Sequence, residues 1–318
     1  MTRRSSARSG ICRLFVMAGV LAFAGRDFRA QQPDLPPFKV ANWNVRSGMG
    51  IAAATNAKIH SDTTDCTKNA SKPGGPFWPA MNAVRDDAAI IALGVEEAWA
   101  CATPEKIVEY LHWQHATPEM NGTALITRYG LKGPHIRHQI AFKDVDGATE
   151  DQYLFGGDVC VDKACSDTVR VYAAHFYAPD DVGYTAQARN TVEFVKTQPF
   201  ADRNIILGDL NFFMANRTFV PCASTKETSA PAAVFESAGY VDAWKLLKPG
   251  VDGPTGMWNR HNCGNPDGGL FKRIDYVYSR GLRPTDVRLF AMITPMVEDA
   301  PSDHAGIIVS FGRGKASR

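Results

Sequence analysis

The pattern of apolar runs predicts an α/β or α+β sandwich folded as one domain. Short apolar runs alternate with segments of helical periodicity in the first half of the chain and dominate the second half. The length, 318 residues, suits one large domain or two small ones, and no internal repeat divides it. Beyond the N-terminal segment no apolar stretch is long enough to span a bilayer.

The N-terminal segment is set apart from the fold. MTRRSSARSGICR carries four arginines and no acid, and the short apolar run LFVMAGVLAFA, residues 14–24, follows it. That order matches a secretory signal, with a small-x-small cleavage site at Ala22-Phe23-Ala24 or a later one at Ala30. We therefore expect residues 1–30 to be a signal peptide and 31–318 a single domain, secreted or periplasmic; an uncleaved anchor is the alternative. Arg3-Arg4 is followed by Ser5-Ser6 where a twin-arginine signal would have apolar residues. Without residues 1–30 the chain loses six Arg and one Asp, so 35 basic and 33 acidic residues become 29 and 32, a net charge of −3. No long basic run remains, so global charge does not argue for tight non-specific nucleic-acid binding, and only a local positive groove is compatible with it.

The elements follow in order. FKVANWNV (38–45) reads as a strand. A polar stretch from Ser47 to about Pro79, with Cys66 and KPGGP, lacks periodicity and reads as a functional loop. Residues 79–89 read as a helix, and AIIALGVEE as a buried strand ending in two acids. Thr103 is the expected N-cap of a helix running to Trp113, with Pro104 in its first turn. TALITRY and VRVYAAHF read as strands, 185–197 as a helix, and NIILGDLN, RIDYVYS and GIIVSF as the closing strands. Cys12 leaves with the signal, and six cysteines remain: Cys66, Cys101, Cys160, Cys165, Cys222 and Cys263. An even count in an exported chain points to disulfides, with about fifteen possible pairings. Cys160 and Cys165, in CVDKAC, are close enough to close a small hairpin. A zinc site is the rival, but no CxxC pair recurs and no His sits at ligand spacing beside one.

Polar residues gather where the strands end. In ILGDLNFF (206–213) three residues lead from an apolar strand to Asp209 and Asn211, spaced to face the same side. Asn42, Asn44 and Arg46 share a face; Glu96 and Glu97 end the second strand; His175 ends VRVYAA; Arg273 and Asp275 interrupt KRIDYVY; Asp303 and His304 precede the last strand. Singly, each reads as an ordinary strand-end polar residue. Together, strand ends on one edge of a sheet converge. Carboxylates and amides are oxygen ligands that suit Mg²⁺, Mn²⁺ or Ca²⁺. Two histidines near carboxylates supply general acid and base, while Asn and Arg donate to an anion. That set suits phosphoester hydrolysis, where developing charge needs a cation and donors and a water must be activated. No Gly-rich P-loop and no G-x-S-x-G elbow is present.

The ordered set WNVR, VEEA, AAHF, GDLN, RIDYV and SDH, spread from Phe38 to Phe311, resembles the endonuclease/exonuclease/phosphatase superfamily, in its deoxyribonuclease I-like form and as an exported, bacterial-type member. The resemblance implies a four-layer sandwich of two mixed β-sheets flanked by helices, with the active site at one edge. It implies that Asn44, Glu97 and Asp303 hold the metal, Mg²⁺ or Mn²⁺, with Ca²⁺ as a structural or synergistic ion. Glu96 stands where the family has Gln, so the two glutamates could exchange roles. His175 matches the general acid of the deoxyribonuclease and sphingomyelinase branches, where abasic-site enzymes have Tyr. Asp209 and Asn211 match the pair that positions water and phosphate, Asp275 the partner that orients His304, and either Asp209 or His304 takes the proton from water. Asn44, Arg46, Asn211 and Arg273 are the expected substrate contacts, and Arg46 again favours the deoxyribonuclease branch. The same resemblance suggests a Cys222–Cys263 disulfide between two active-site loops.

The expected activity is a divalent-metal phosphodiesterase, foremost an endonuclease on DNA and secondarily on RNA, acting as a monomer with nucleic acid as its partner and no protein partner implied. The alternative is a sphingomyelinase- or phospholipase C-like enzyme, or a phosphomonoesterase on small phosphoesters. A lipid substrate asks for an exposed apolar hairpin. FFMANRTFVP (212–221) and the surroundings of Phe77-Trp78 are the candidates, and both read more simply as core or loop-anchoring aromatics. A binding module that kept the fold and lost its chemistry is a third reading, set against the presence of every expected catalytic residue type.

Overall fold

Two six-stranded mixed sheets lie face to face with helices outside them. The structure is a computed structural model that describes residues 35–50, 66, 70–118, 120–143, 149–177, 181–212, 230–251, 253, 255–256, 273–292 and 300–312. All of them belong to the unit Leu35–Arg318. The first sheet holds β1 (Phe38–Asn44), β2 (Ile90–Glu96), β3 (His115–Ala116), β4 (Ala124–Thr127), β11 (Pro284–Phe290) and β12 (Gly306–Phe311), in the order β11-β12-β1-β2-β4-β3. The second holds β5 (Ile136–Lys143), β6 (Thr149–Cys160), β7 (Thr168–His175), β8 (Asn204–Asp209), β9 (Val241–Asp242) and β10 (Asp275–Arg280), in the order β5-β6-β7-β8-β10-β9. Five helices complete the set: α1 (Phe77–Arg85), α2 (Pro104–Leu111), α3 (Asp181–Lys196), α4 (Ala230–Ser237) and α5 (Ala243–Leu247).

Side-chain parity generates the layers. In β1, Phe38 and Val40 join the core between the sheets, with Ala92, Val171, Ala173, Leu207, Val277 and Val309. Ala41 and Trp43 point the other way, onto Phe77, Met81 and Val84 of α1 and Ile107 and Leu111 of α2. In the second sheet Tyr172, Ala174 and Ile206 face outward onto Ala188, Val192 and Val195 of α3 and Phe235 of α4. The result is the expected four-layer sandwich. Gly94 marks a close approach of the sheets, since a Cβ there would lie 2.1 Å from Leu207 Cδ1 and 2.5 Å from Asn42 Oδ1.

Element boundaries depart from the sequence reading in specific ways. The helix expected over 79–89 begins at Phe77 and ends at Arg85, because Phe77 stacks on Trp43 with centroids 5.1 Å apart. Phe77 is buried in the core, so Phe77-Trp78 is not the exposed apolar loop considered for lipid contact. The helix expected from Thr185 begins at Asp181. Thr103 caps α2 as anticipated, its side chain accepting from Lys106 N, with Pro104 at the first helical position. Strands β3, β5, β6, β9 and β11 carried no clear sequence signal. Cys160–Cys165 closes the turn between β6 and β7, and Cys66 pairs with Cys101. Cys222, Cys263 and residues 213–221 lie outside the described residues. No described helix is long and apolar enough to cross a membrane.

Candidate active site

The parity that builds the inter-sheet core continues into a polar cluster at one edge. β1 and β2 are parallel, with Asn44 opposite Glu96; β7 and β8 are parallel, with His175 opposite Asp209; β10 runs antiparallel to β8, with Asp275 opposite Asp209. Asn42, Asn44, Glu96, His175, Asp209 and Asp275 thus extend the inward-facing rows that hold Val40, Ala92, Ala173, Leu207 and Val277. The inward rows are apolar in mid-strand and turn polar at one end, at Asn42 and Asn44 in β1, Glu96 in β2, His175 in β7, Asp209 in β8 and Asp275 in β10, where these residues meet.

Two hydrogen bonds link site residues of the two sheets, Asn44 to Asp209 and His304 to Asp275. Asn44 Nδ2 donates to Glu97 Oε1 at 3.1 Å and to Asp209 Oδ2 at 3.0 Å. His304 Nδ1 lies 2.9 Å from Asp275 Oδ2, and its Nε2 lies 3.7 Å from Asp209 Oδ2. His175 Nε2 approaches the same Asp209 oxygen at 3.6 Å. Asn211, in the left-handed region at φ 55°, donates from Nδ2 to Phe176 O at 2.9 Å and lies 3.2 Å from His175 Nε2. Arg46 Nη1 sits 3.2 Å from Asp303 Oδ2.

The charges follow from burial and neighbours. Burial, reinforced by His304, pushes the His175 imidazole down to about 3, so it is neutral. Burial also opposes a charge on His304, but Asp275, Asp209 and Asp303 outweigh it and raise His304 well above the ordinary histidine range. Burial raises Asp209 to about 8, a rise that His304 opposes and Asp275 adds to. Burial and then Asp303 raise Glu97. Glu96 is raised well above the carboxylate range by burial, Asp275 and Asp209, and its Oε2 accepts from Asn42 Nδ2 at 3.1 Å. The two glutamates therefore occupy different surroundings: Glu96 lies inside the sandwich, and Glu97 turns out at φ 51° toward Asn44 and Asp303.

The sequence matches the family model of the endonuclease/exonuclease/phosphatase family over residues 41–304. The chain belongs to that family. Its members are phosphoric ester hydrolases, and they generally use a divalent metal. No curated protein matches the chain. Among solved structures, zebrafish (D. rerio) TDP2 complexed with single-strand DNA product is 14% identical, with a TM-score of 0.57 over 87% of this chain and 99% of that one. The 3′ phosphatase NExo from Neisseria, bound to a product DNA hairpin, is 17% identical, with a TM-score of 0.55 over 86% and 99%. A mannosyl-6-phosphatase from Bacteroides thetaiotaomicron is 12% identical, with a TM-score of 0.57 over 86% and 99%. At these identities the likeness is one of fold.

Within this family member, Asn44, Arg46, Glu97, His175, Asp209, Asn211, Asp275, Asp303 and His304 come together at the sheet edge. Arg273 does not join them. Its guanidinium donates to Asp242 Oδ2 at 2.8 Å and lies over the Tyr276 ring at 4.6 Å. Arg273 precedes the first residue of β10, outside the pleat that would have aligned it with Asp275. Three supporting residues escaped sequence reading. Ser302 Oγ donates to Asn44 O at 2.7 Å and accepts from His304 N. Trp43 Nε1 donates to His304 O. Thr255 Oγ1 accepts from the amides of Ile274 and Asp275. Ser302 could have been found from its place in SDH, whereas nothing local marks Thr255.

The donor set fits a divalent cation. Among the described residues, Asp209, Asp275 and His304 present ligand atoms within 4.8 Å of one another, and the buried Asp275 Oδ1 has no hydrogen-bond partner. Asp303 is close enough to Glu97 to disfavour the glutamate's charge, a repulsion that a dication relieves.

Proposed function

We propose that the protein is an exported divalent-metal phosphodiesterase that acts as an endonuclease on DNA, with RNA as a second nucleic-acid substrate. The observation that carries this reading is the meeting of the His304–Asp275 pair, Asp209, His175 and Asn211 on the seam opposite Asn44 and Glu97. Glu97 and Asp303, with Asn44 between them and Asp209, would hold Mg²⁺ or Mn²⁺. The bound ion supplies charge neutralisation at the phosphate oxygens.

The residues divide the remaining work. Asp275 fixes the His304 ring by its Nδ1 hydrogen bond. In the free site both Asp209 and His304 are driven toward their protonated forms. Beside a bound dication Asp209 would be ionised, so that Asp209 Oδ2, 3.7 Å from His304 Nε2, could accept the proton of the attacking water. Asn211 presents an amide donor to a phosphate oxygen, and Asn44, whose two amide hydrogens are held by Glu97 and Asp209, would have to release one of them to do the same. His175 is neutral in the free site, and an arriving phosphate dianion or diester anion would favour its protonated form, making it the donor to the leaving oxygen. Arg46, held on Asp303, lies where it can meet an adjacent phosphate. The two disulfides suit an oxidising compartment, consistent with export of the chain after residue 30.

The test is plasmid nicking by the oxidised protein with Mg²⁺, with added Ca²⁺, and with chelator. Metal-dependent nicking is expected, with His304→Ala reducing the rate about 10²- to 10⁴-fold. A folded, oxidised protein that leaves plasmid intact but releases phosphate from small monoesters would instead establish the phosphomonoesterase reading.

A further inference from the structure

A covalent link ties Cys66, which packs beside Met49 at the end of the Arg46 turn, to Cys101 in the loop that follows Glu97. Cys66 and Cys101 are bonded across a separation of 35 residues, with their Cα atoms 5.3 Å apart. Around this link the backbone is held in an unfavourable region: Arg46, Ser47, Glu97 and Ala100 have φ between 42° and 56°. Non-glycine residues in left-handed conformations persist where the surroundings over-determine them. Here Ser47 N donates to Glu97 O at 2.7 Å, Ala98 N to Gly122 O at 2.9 Å, and Ala102 N to Trp99 O at 2.9 Å. The apolar support is small and separate from the three large cores: Met49 and Cys101, packed by Cys66, Trp99 and Ala100. The disulfide is part of this patch.

We propose that the Cys66–Cys101 disulfide is a positioning device for the metal site, holding the Arg46–Gly48 turn against the Glu97 loop so that cation affinity depends on the oxidation of these two cysteines. The proposal rests on the metal-dependent reading above and extends it. In a reducing compartment both sulfurs are thiols and the Glu97 loop is free to relax from its left-handed turn. On transfer of two electrons and two protons to a disulfide-class oxidant, the bond forms and the site is completed. A phosphodiesterase built in this way is weak where it is made and competent where it is oxidised. Cys160–Cys165 provides an internal control. It lies at the Thr168 end of β7, seven residues and roughly 20 Å from the His175 end.

The experiment measures Mn²⁺ binding by the electron paramagnetic resonance of the free ion, on the full chain. Four proteins are compared: oxidised wild type, Cys66→Ser/Cys101→Ser, Cys160→Ser/Cys165→Ser, and Cys160→Ser/Cys165→Ser/Cys222→Ser/Cys263→Ser, the last measured oxidised and again after reduction with dithiothreitol and desalting without oxygen. Loss of the Cys66–Cys101 bond, by substitution or reduction, is expected to weaken Mn²⁺ by about tenfold or more, and loss of Cys160–Cys165 alone by less than about twofold. Amide exchange at Ser47 and Ala98, followed without metal, is expected to accelerate in the same samples. Unchanged affinity and unchanged exchange in folded protein lacking the bond overturn the clamp. If the double serine variant does not fold, the reduced sample decides the question. An oxidised wild type that binds no Mn²⁺ overturns the metal reading and the proposal with it, an outcome distinct from equal affinity with and without the bond.

Discussion

His175 and His304 approach the same oxygen of Asp209, at 3.6 and 3.7 Å, yet the fold drives their charges in opposite directions. His304 has Asp275 behind it and Asp209 and Asp303 beside it, so carboxylates outweigh the cost of burial. His175 is buried with His304 as its charged neighbour, so nothing offsets that cost. An unfolded histidine binds its proton near pH 6.5, roughly the solution value. Between that value and about 3 the unfolded chain holds one more proton at His175 than the native protein does. The stability from neutral His175 is therefore complete above the solution value and is lost as pH falls toward about 3. His304 has the opposite sign: its contribution is complete below the solution value and is lost as pH rises through its own raised value. Ring-proton NMR of the metal-free protein is expected to show His304 protonated at neutral pH and His175 neutral down to pH about 5. His175→Asn should flatten the acid limb of a stability-versus-pH curve. A His175 resonance that titrates at the ordinary value would remove this account of the site's charge.

At the scale of the strand, one parity row serves as both core and active site, which leaves little room for error in packing. Gly94 lies on the inward face of β2, two residues before Glu96, and its missing Cβ leaves the space taken by Leu207 Cδ1 and Asn42 Oδ1. Gly94→Ala should overpack this point and destabilise the protein by about 1–3 kcal/mol. It should also displace Asn42 from Glu96, lowering activity more than an equally destabilising change in the outer layers. Urea unfolding with kinetics on the same samples checks both, and a stable, fully active variant would show that the sheets can separate at little cost. Elements like β2 are also the ones the sequence reveals. IIALGV, VYAA and NIIL are uninterrupted apolar runs, so the acid, amide or imidazole that ends each stands out. By contrast, β6 passes through Gly156-Gly157, and Gly156 is there because the Tyr172 ring fills the space of a Cβ, a demand made by another strand. β11 opens with Pro284, and Thr285-Asp286 and Leu289-Phe290 break a polar/apolar alternation, which weakens its signal. Arg273 was grouped with Asp275 by spacing, but spacing predicts a shared face only inside a strand, and β10 begins at Asp275. The Cys66–Cys101 pairing and the role of Thr255 depend on tertiary proximity, which no local pattern encodes.

At the scale of the whole molecule, the site is shared between the sheets. The first sheet and the turns at its edge bring Asn44, Arg46, Glu97, Asp303 and His304; the second brings His175, Asp209, Asn211 and Asp275. The links between the two groups are Asn44 to Asp209 and His304 to Asp275. A cation held at this seam binds the native arrangement and not the separated strands, so binding must stabilise the fold as a whole, by about 2.7 kcal/mol at a hundred times its dissociation constant. For a chain of this size that corresponds to a rise in melting temperature of several degrees. The pH dependence has a definite sign. Burial and Asp303 raise Glu97, and only its ionised form can coordinate, so the metal-induced rise should be larger at pH 8 than at pH about 5. Glu97→Gln removes the charge while keeping the shape and should abolish most of the rise. Glu96→Gln, at a position buried in the sandwich and held by Asn42, should leave it nearly intact. Differential scanning fluorimetry across Mn²⁺ concentrations at the two pH values separates these outcomes. If the Glu96 variant lost the rise and the Glu97 variant kept it, the two glutamates would have exchanged the roles assigned to them here.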